Sequence, residues 1–91
     1  MSIKEDDSSS FKQMVLFTYS LRNLKTQSQK IQFYYALKGR DGKSGVIREY
    51  KIEQLAKTVL LVDSIYDKSV QEFFNLWKIR FERREVKIKD A

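Results

Sequence analysis

Apolar and polar positions alternate most clearly between Gln13 and Leu21. Val15, Phe17, Tyr19 and Leu21 fall on one side of an extended chain, and Met14, Leu16 and Thr18 on the other. Period two with apolar residues on both sides predicts a strand buried on both faces. Thr26-Gln27-Ser28-Gln29 has the spacing of a capping box, with Thr26 as N-cap and Gln29 reaching back. A helix from there to Lys38, stopped by Gly39, follows. Ile31, Phe33, Tyr35 and Leu37 also alternate, which keeps a strand open for 31–37 and, with it, a β-hairpin around the Gly-rich turn. The start and stop signals favour the helix. Val46 to Tyr50 reads as a strand, Ile52 to Lys57 as a short linker with one helical turn, and Thr58 to Val62 as a central strand. A second helix starts at Asp67 or Ser69. Ser69 and Glu72 match a capping box, and Val70, Phe73, Phe74 and Trp77 form one helical stripe. Ile79 to Lys89 is a charged final strand. Its apolar residues change parity between Phe81 and Val86, which predicts a bulge near Arg83-Arg84.

The order β-α-β-β-α-β is the split βαβ pattern of a small ferredoxin-like α+β sandwich. In that arrangement the first and third strands are central and the second and fourth are edges. The two apolar candidates are the first and third, and charged edges resist edge-to-edge pairing. A KH-like or winged-helix-like small α+β domain is the alternative, since both also combine short strands, helices and a basic turn. The domain is expected over residues 11–91. Residues 1–10 hold Glu5, Asp6, Asp7 and three consecutive serines, and read as a disordered acidic tail.

Composition narrows the chemistry. The 91-residue chain has six Phe, five Tyr and one Trp, enough aromatic mass for a packed core. It has no Cys, so disulfides and thiolate metal sites are excluded, and no His, so the commonest general base and zinc ligand are missing. An enzyme is therefore not expected, nor a metal or other cofactor. Asp63 with Asp67, and Glu49 with Glu53, read as caps or partners of Lys rather than as an acid/base pair or a Mg²⁺ site, so a metal-dependent nuclease is a distant third reading. No apolar run approaches the ~20 residues that span a bilayer. The N-terminal segment has no apolar core of a secretory signal. The expectation is an intracellular protein, cytoplasmic or nucleoid-associated, with no membrane partner.

The positive charge is segregated. Arg22 to Lys51 carries eight Lys/Arg against two Asp/Glu, and Lys78 to Lys89 six against two, whereas Ile52 to Trp77 carries two against four. Such blocks on a small domain point to a polyanion. The first block holds Lys38-Gly39-Arg40-Asp41-Gly42-Lys43-Ser44-Gly45. Gly42-Lys43-Ser44 echoes the end of a P-loop, but Leu37 stands where that motif needs Gly, so nucleotide hydrolysis is rejected. Gly39-Arg40-Asp41-Gly42 resembles the GXXG loop of KH domains, which clamps a nucleic-acid backbone. The resemblance covers four residues, and Lys38 replaces the aliphatic residue usual before that loop. It implies backbone contact at this turn. The plain alternative is a helix C-cap whose cations only solvate it.

The candidate nucleic-acid-binding residues are Lys38, Arg40, Lys43 and Arg48 in the first block and Arg80, Arg83, Arg84 and Lys87 in the second. Glu82 and Glu85 interrupt the second block, which fits cross-strand ion pairs equally well. Phe33, Tyr34 and Tyr35 are candidates for base stacking; Phe73, Phe74 and Trp77 are expected in the core. The third strand lacks the aromatic pattern of an RNA recognition motif, which argues against that family. Two functions follow. The first is a non-catalytic nucleic-acid-binding protein, or a small accessory subunit of a replication, repair or RNA-processing complex, with an apolar sheet face free for a larger protein partner or a homodimer. The second is a protein-interaction module that docks an acidic partner without nucleic acid.

Overall fold

A computed structural model describes residues 11–42 and 44–89. Along the chain these form β1 (Phe11–Ser20), α1 (Gln27–Lys38), α2 (Val46–Glu49), β2 (Glu53–Ala56), β3 (Val59–Asp63), a 3₁₀ turn (Ser64–Tyr66), α3 (Asp67–Leu76) and β4 (Arg80–Lys89). The acidic tail expected at 1–10 lies outside the described residues. The strands make one antiparallel sheet in the order β2-β3-β1-β4, so the chain is a small α+β domain. β1 and β3 are central and β2 and β4 are edges, as their apolar content predicts.

The pleat of β1 decides which face carries the core. Val15, Phe17 and Tyr19 are at most 4% exposed, and their cross-strand partners include Val62 and Leu60, both 0% exposed. Both long helices cover this face. Phe74 of α3 lies 5.7 Å from Phe17 and 5.2 Å from Tyr19, and Phe33 of α1 lies 5.9 Å from Tyr19, between ring centroids. Packed aromatic rings of this kind add to the area they bury. Met14 and Leu16, on the other face, are only half-buried and Thr18 is exposed. The expectation of a strand buried on both sides is corrected to one buried face, because both long helices pack on the Phe17 side.

Helix α1 forms where the start and stop signals put it. Gln29 N–H donates to Thr26 Oγ1 at 3.1 Å, and Thr26 N–H donates back to Gln29 Oε1 at 3.4 Å. Phe33 and Leu37, four apart, are fully buried, whereas Ile31 and Tyr35 are exposed, so the apparent alternation over 31–37 is incidental. The helix ends at Gly39, at φ 84°, whose N–H donates to Tyr35 O at 2.8 Å.

Three expectations change. Val46 to Tyr50 is not a strand: Val46–Glu49 turns as α2, and the second strand forms later, at Glu53–Ala56. The β-branched pair Val46-Ile47 favours a strand locally, but half-burial of Val46, Ile47 and Tyr50 against the core overrides that preference. The capping box at Ser69 is not formed. Helix α3 already begins at Asp67, and Asp63 instead caps the preceding turn, its Oδ1 accepting from Ile65 N–H at 3.2 Å. No bulge interrupts β4, which pairs with β1 without a break from Phe11↔Lys89 to Ser20↔Arg80. The parity change is real but needs no bulge: Phe81 pairs with Tyr19 on the helix face, and Val86 pairs with Met14 on the other.

Both α2 and α3 end the same way. Ile52 N–H reaches Ile47 O at 2.8 Å and Ile79 N–H reaches Phe74 O at 2.9 Å, the long bond of a Schellman motif. Both isoleucines are buried, at 7% and 4% exposed. The residue before each is a lysine in the left-handed region, Lys51 at φ 53° and Lys78 at φ 56°. A Cβ is disfavoured there. Lys78→Gly is therefore expected to stabilise the domain by about 0.5–1 kcal/mol in urea unfolding, with an unchanged m-value.

Candidate nucleic-acid interface

The Gly-rich turn folds back on itself. A Cβ on Gly39 would lie 2.6 Å from Ser44 O, and one on Gly45, at φ 97°, would lie 2.7 Å from Leu37 O. The Asp41 carboxylate ties the loop internally, accepting from Ser44 N–H at 3.1 Å and Ser44 Oγ at 3.2 Å. This reversal sets the end of α1 against α2 and the start of β2. The result is a cleft of about 650 Å³ lined by Lys38, Gly42, Ser44, Ile47, Arg48, Lys51, Ile52 and Gln54. Three of those side chains are cationic and none is acidic.

A second cleft, of about 550 Å³, lies farther along the same side of α1. Lys30, Ile31 and Tyr34 of α1 face Lys57 and Thr58 of the β2–β3 turn across it. Two contacts join the clefts. The Lys38 ammonium sits 5.6 Å from the centroid of the Tyr34 ring, and Gln54 Nε2 donates to Lys57 O at 3.2 Å. Tyr19 Oη also donates to Lys57 O, at 3.0 Å, and burial followed by the nearby Tyr34 pushes the Tyr19 phenol up to about 12. The Tyr34 hydroxyl is buried without a hydrogen-bond partner among the described residues. Together the clefts make a basic track carrying Lys30, Lys57, Lys38, Arg48 and Lys51. From Lys30 to Lys38 the helix rises about 12 Å, so the cations of the track form a line rather than a single point.

The predicted residues divide between two edges. Lys38 and Arg48 line the track, Arg40 lies over Tyr35 at 5.1 Å, and Lys43 lies outside the described residues. Arg80, Arg83, Arg84 and Lys87 are all on β4, the opposite edge of the sheet from β2. The two blocks therefore do not merge into one patch. Arg83 is also engaged: its guanidinium donates twice to the Asp67 carboxylate, at 3.1 and 2.7 Å, and once to Glu85 at 3.2 Å. Those carboxylates, Asp67 first, raise its pKa further. By contrast Lys38, Arg40, Arg48 and Lys51 have no salt bridge among the described residues. Arg80 lines a separate opening of about 690 Å³ that also contains Glu82. Lys30, Lys51 and Lys57 were not singled out by sequence. For Lys51 and Lys57 the signal was positive charge flanking a short edge strand, visible only once β2 is placed at 53–56, and Lys30 shares a helix face with Tyr34 and Lys38.

No protein-family model, curated protein or solved structure matches the chain. The interface therefore rests on its own geometry. Among the described residues there is no group of three acidic, His or Cys side chains able to hold a metal, and no helix long and apolar enough to cross a membrane.

Asp63, Asp67 and Glu85 act as caps or ion-pair partners. Asp63 caps the 3₁₀ turn and meets Lys12 Nζ at 3.0 Å. The Ile65 N–H, then Lys12, hold its carboxyl below the ordinary value of 3.8. In the unfolded chain Asp63 binds a proton at a higher pH than in the fold. Its contribution is thus complete above about pH 5 and is lost as pH falls through the lower native value. Asp63→Asn is expected to flatten that acid limb of stability and leave the neutral-to-alkaline limb unchanged, measured by urea unfolding across pH.

Proposed function

We propose that the protein is a non-catalytic nucleic-acid-binding protein that holds a phosphate backbone along the track between α1 and the β2 edge. The observation that carries this is the cleft in which Lys38, Arg48 and Lys51 converge beside the Gly39-Arg40-Asp41-Gly42 turn, with no acidic side chain lining it among the described residues. Cations gathered without acidic partners are available to an incoming polyanion, whereas the Arg83 guanidinium is already held by Asp67 and Glu85. The turn also suits the GXXG resemblance, since it links two helices at the rim of that cleft. Lys38, Arg40, Arg48 and Lys51 carry the contact, extended by Lys30 and Lys57. Arg80 and Arg84, on the open face of β4, form a second, separate surface, and Lys87 lies on the helix face of that strand. A role as a small accessory subunit in replication, repair or RNA processing, in the cytoplasm or nucleoid, accords with this reading, with the open sheet face left for a protein partner.

The scale of binding follows from the number of contacts. Three or four cation–phosphate contacts, from Lys38, Arg48 and Lys51 with or without Arg40, imply a loss of about 20- to 150-fold in affinity between roughly 50 and 200 mM salt. That is shallower than both basic blocks acting together would give. Lys38→Glu with Arg48→Glu is expected to weaken binding at least tenfold and to reduce the salt slope by about two contacts. Arg80→Glu with Arg84→Glu is expected to change it less than threefold. Fluorescence anisotropy with single-stranded and duplex oligonucleotides measures both. Absence of binding by the wild-type protein to either polymer at low salt would overturn the proposal and favour docking of an acidic protein instead.

A further inference from the structure

Two tyrosines at the end of α1 carry cations on their rings, and they differ in access. Tyr34 is half-buried beneath Lys38 and belongs to the wall of the second cleft, the upper one of the two. Tyr35 remains 44% exposed even with the Arg40 guanidinium 5.1 Å from its ring centroid. Ile31, one turn earlier on the same stripe, lines the upper cleft and is 40% exposed. Tyr35 therefore stands at the rim of the basic track, with ring surface open beside the phosphate-binding cations. It contributes little to the core, which α1 meets through Phe33 and Leu37.

We infer that Tyr35, with Arg40, is a stacking platform for one unpaired nucleobase, and that the ligand of the track is a single strand. This rests on the reading of the track as a nucleic-acid site. In a duplex the base faces are already stacked on one another, so an exposed ring beside the backbone finds no partner there. In a single strand every base has a free face, and stacking on an aromatic side chain is tolerant of sequence. A planar guanidinium at the same ring can cover the far face of the base or move onto the adjacent phosphate. The chemistry that recognises the ligand is thus a run of phosphates on Lys30, Lys38, Arg48 and Lys51, with one base held at Tyr35.

The test uses the full chain with fluorescein-labelled oligothymidylate, oligouridylate and a mixed-sequence duplex of equal length. The wild-type protein is expected to bind at least one single strand more tightly than the duplex. Tyr35→Ala is expected to weaken single-strand binding by about 5- to 140-fold, the worth of one stacked base. Duplex binding and the salt slope should not change, because no cation is removed. Tyr35→Phe keeps the ring and should keep the affinity. Since Tyr35 is exposed on a helix and Ala is the best helix former, the Ala variant should fold. A Tyr35→Ala loss equal for both polymers, no loss on single strands, or a Phe variant as weak as the Ala variant would each overturn the platform. Tight binding of both polymers by the wild-type protein, unmoved by Tyr35→Ala, would sink the platform and leave the track standing. No binding to any probe would remove both.

Discussion

At the Gly-rich turn, two stretches of backbone approach so closely that neither Gly39 nor Gly45 has room for a Cβ. That approach turns the chain from α1 into α2 within a few residues. It also places Lys38, at the end of one helix, across from Arg48 and Lys51, which flank the end of the next. Without the reversal those cations would belong to separate parts of the surface. Asp41 holds the loop from within through Ser44.

Three cations in one small cleft repel one another, and the size of that repulsion decides whether the arrangement can persist without a ligand. Two unit charges about 8 Å apart in water repel by only ~0.5 kcal/mol. The packing of Phe17, Phe33 and Phe74 outweighs this easily, since a single buried Phe side chain contributes about 1.5–3 kcal/mol. Neighbouring tyrosines ease the local cost: Lys38 and Arg40 lie over the rings of Tyr34 and Tyr35. On β4 the opposite solution applies. There Arg83 binds Asp67 across the end of α3, and its charge helps to join strand and helix. The two basic blocks look alike in sequence, but Arg83 of the second is held by Asp67 and Glu85, whereas Lys38, Arg48 and Lys51 have no salt bridge among the described residues.

Much of the fold was legible because its signals were local and consistent. The Thr26–Gln29 box, the Gly39 stop, the Val70–Trp77 stripe and the apolar runs of β1 and β3 all point to the elements observed. What failed was local preference opposed by tertiary contact. Val46-Ile47 reads as a strand, yet the 47–52 Schellman bond and burial of Ile52 close it as a helix. That single change moves β2 to 53–56 and with it the outline of the candidate interface. Ser69–Glu72 had the right spacing for a cap, but Asp63 had already turned the chain. The division of the basic blocks was not legible at all. It depends on β2 and β4 being opposite edges, and a charge count along the chain carries no information about which edge a residue occupies.

Lys51 is where conformation and chemistry meet, and Lys78 provides the comparison. Both occupy the left-handed position of a Schellman motif, where Gly would sit more easily. Lys51 lines the basic cleft; Lys78 does not, and its carbonyl accepts from Asn23 Nδ2 at 2.9 Å on the other side of the domain. The same backbone strain at a position outside the cleft means that strain alone does not mark a functional residue. What distinguishes Lys51 is its neighbourhood: Lys38 and Arg48 share its cleft, no carboxylate lines it among the described residues, and the track continues past Tyr34 to Lys57 and Lys30. The case for a polyanion site therefore lies in that uncompensated grouping, which the fold maintains through two glycines and one buried isoleucine.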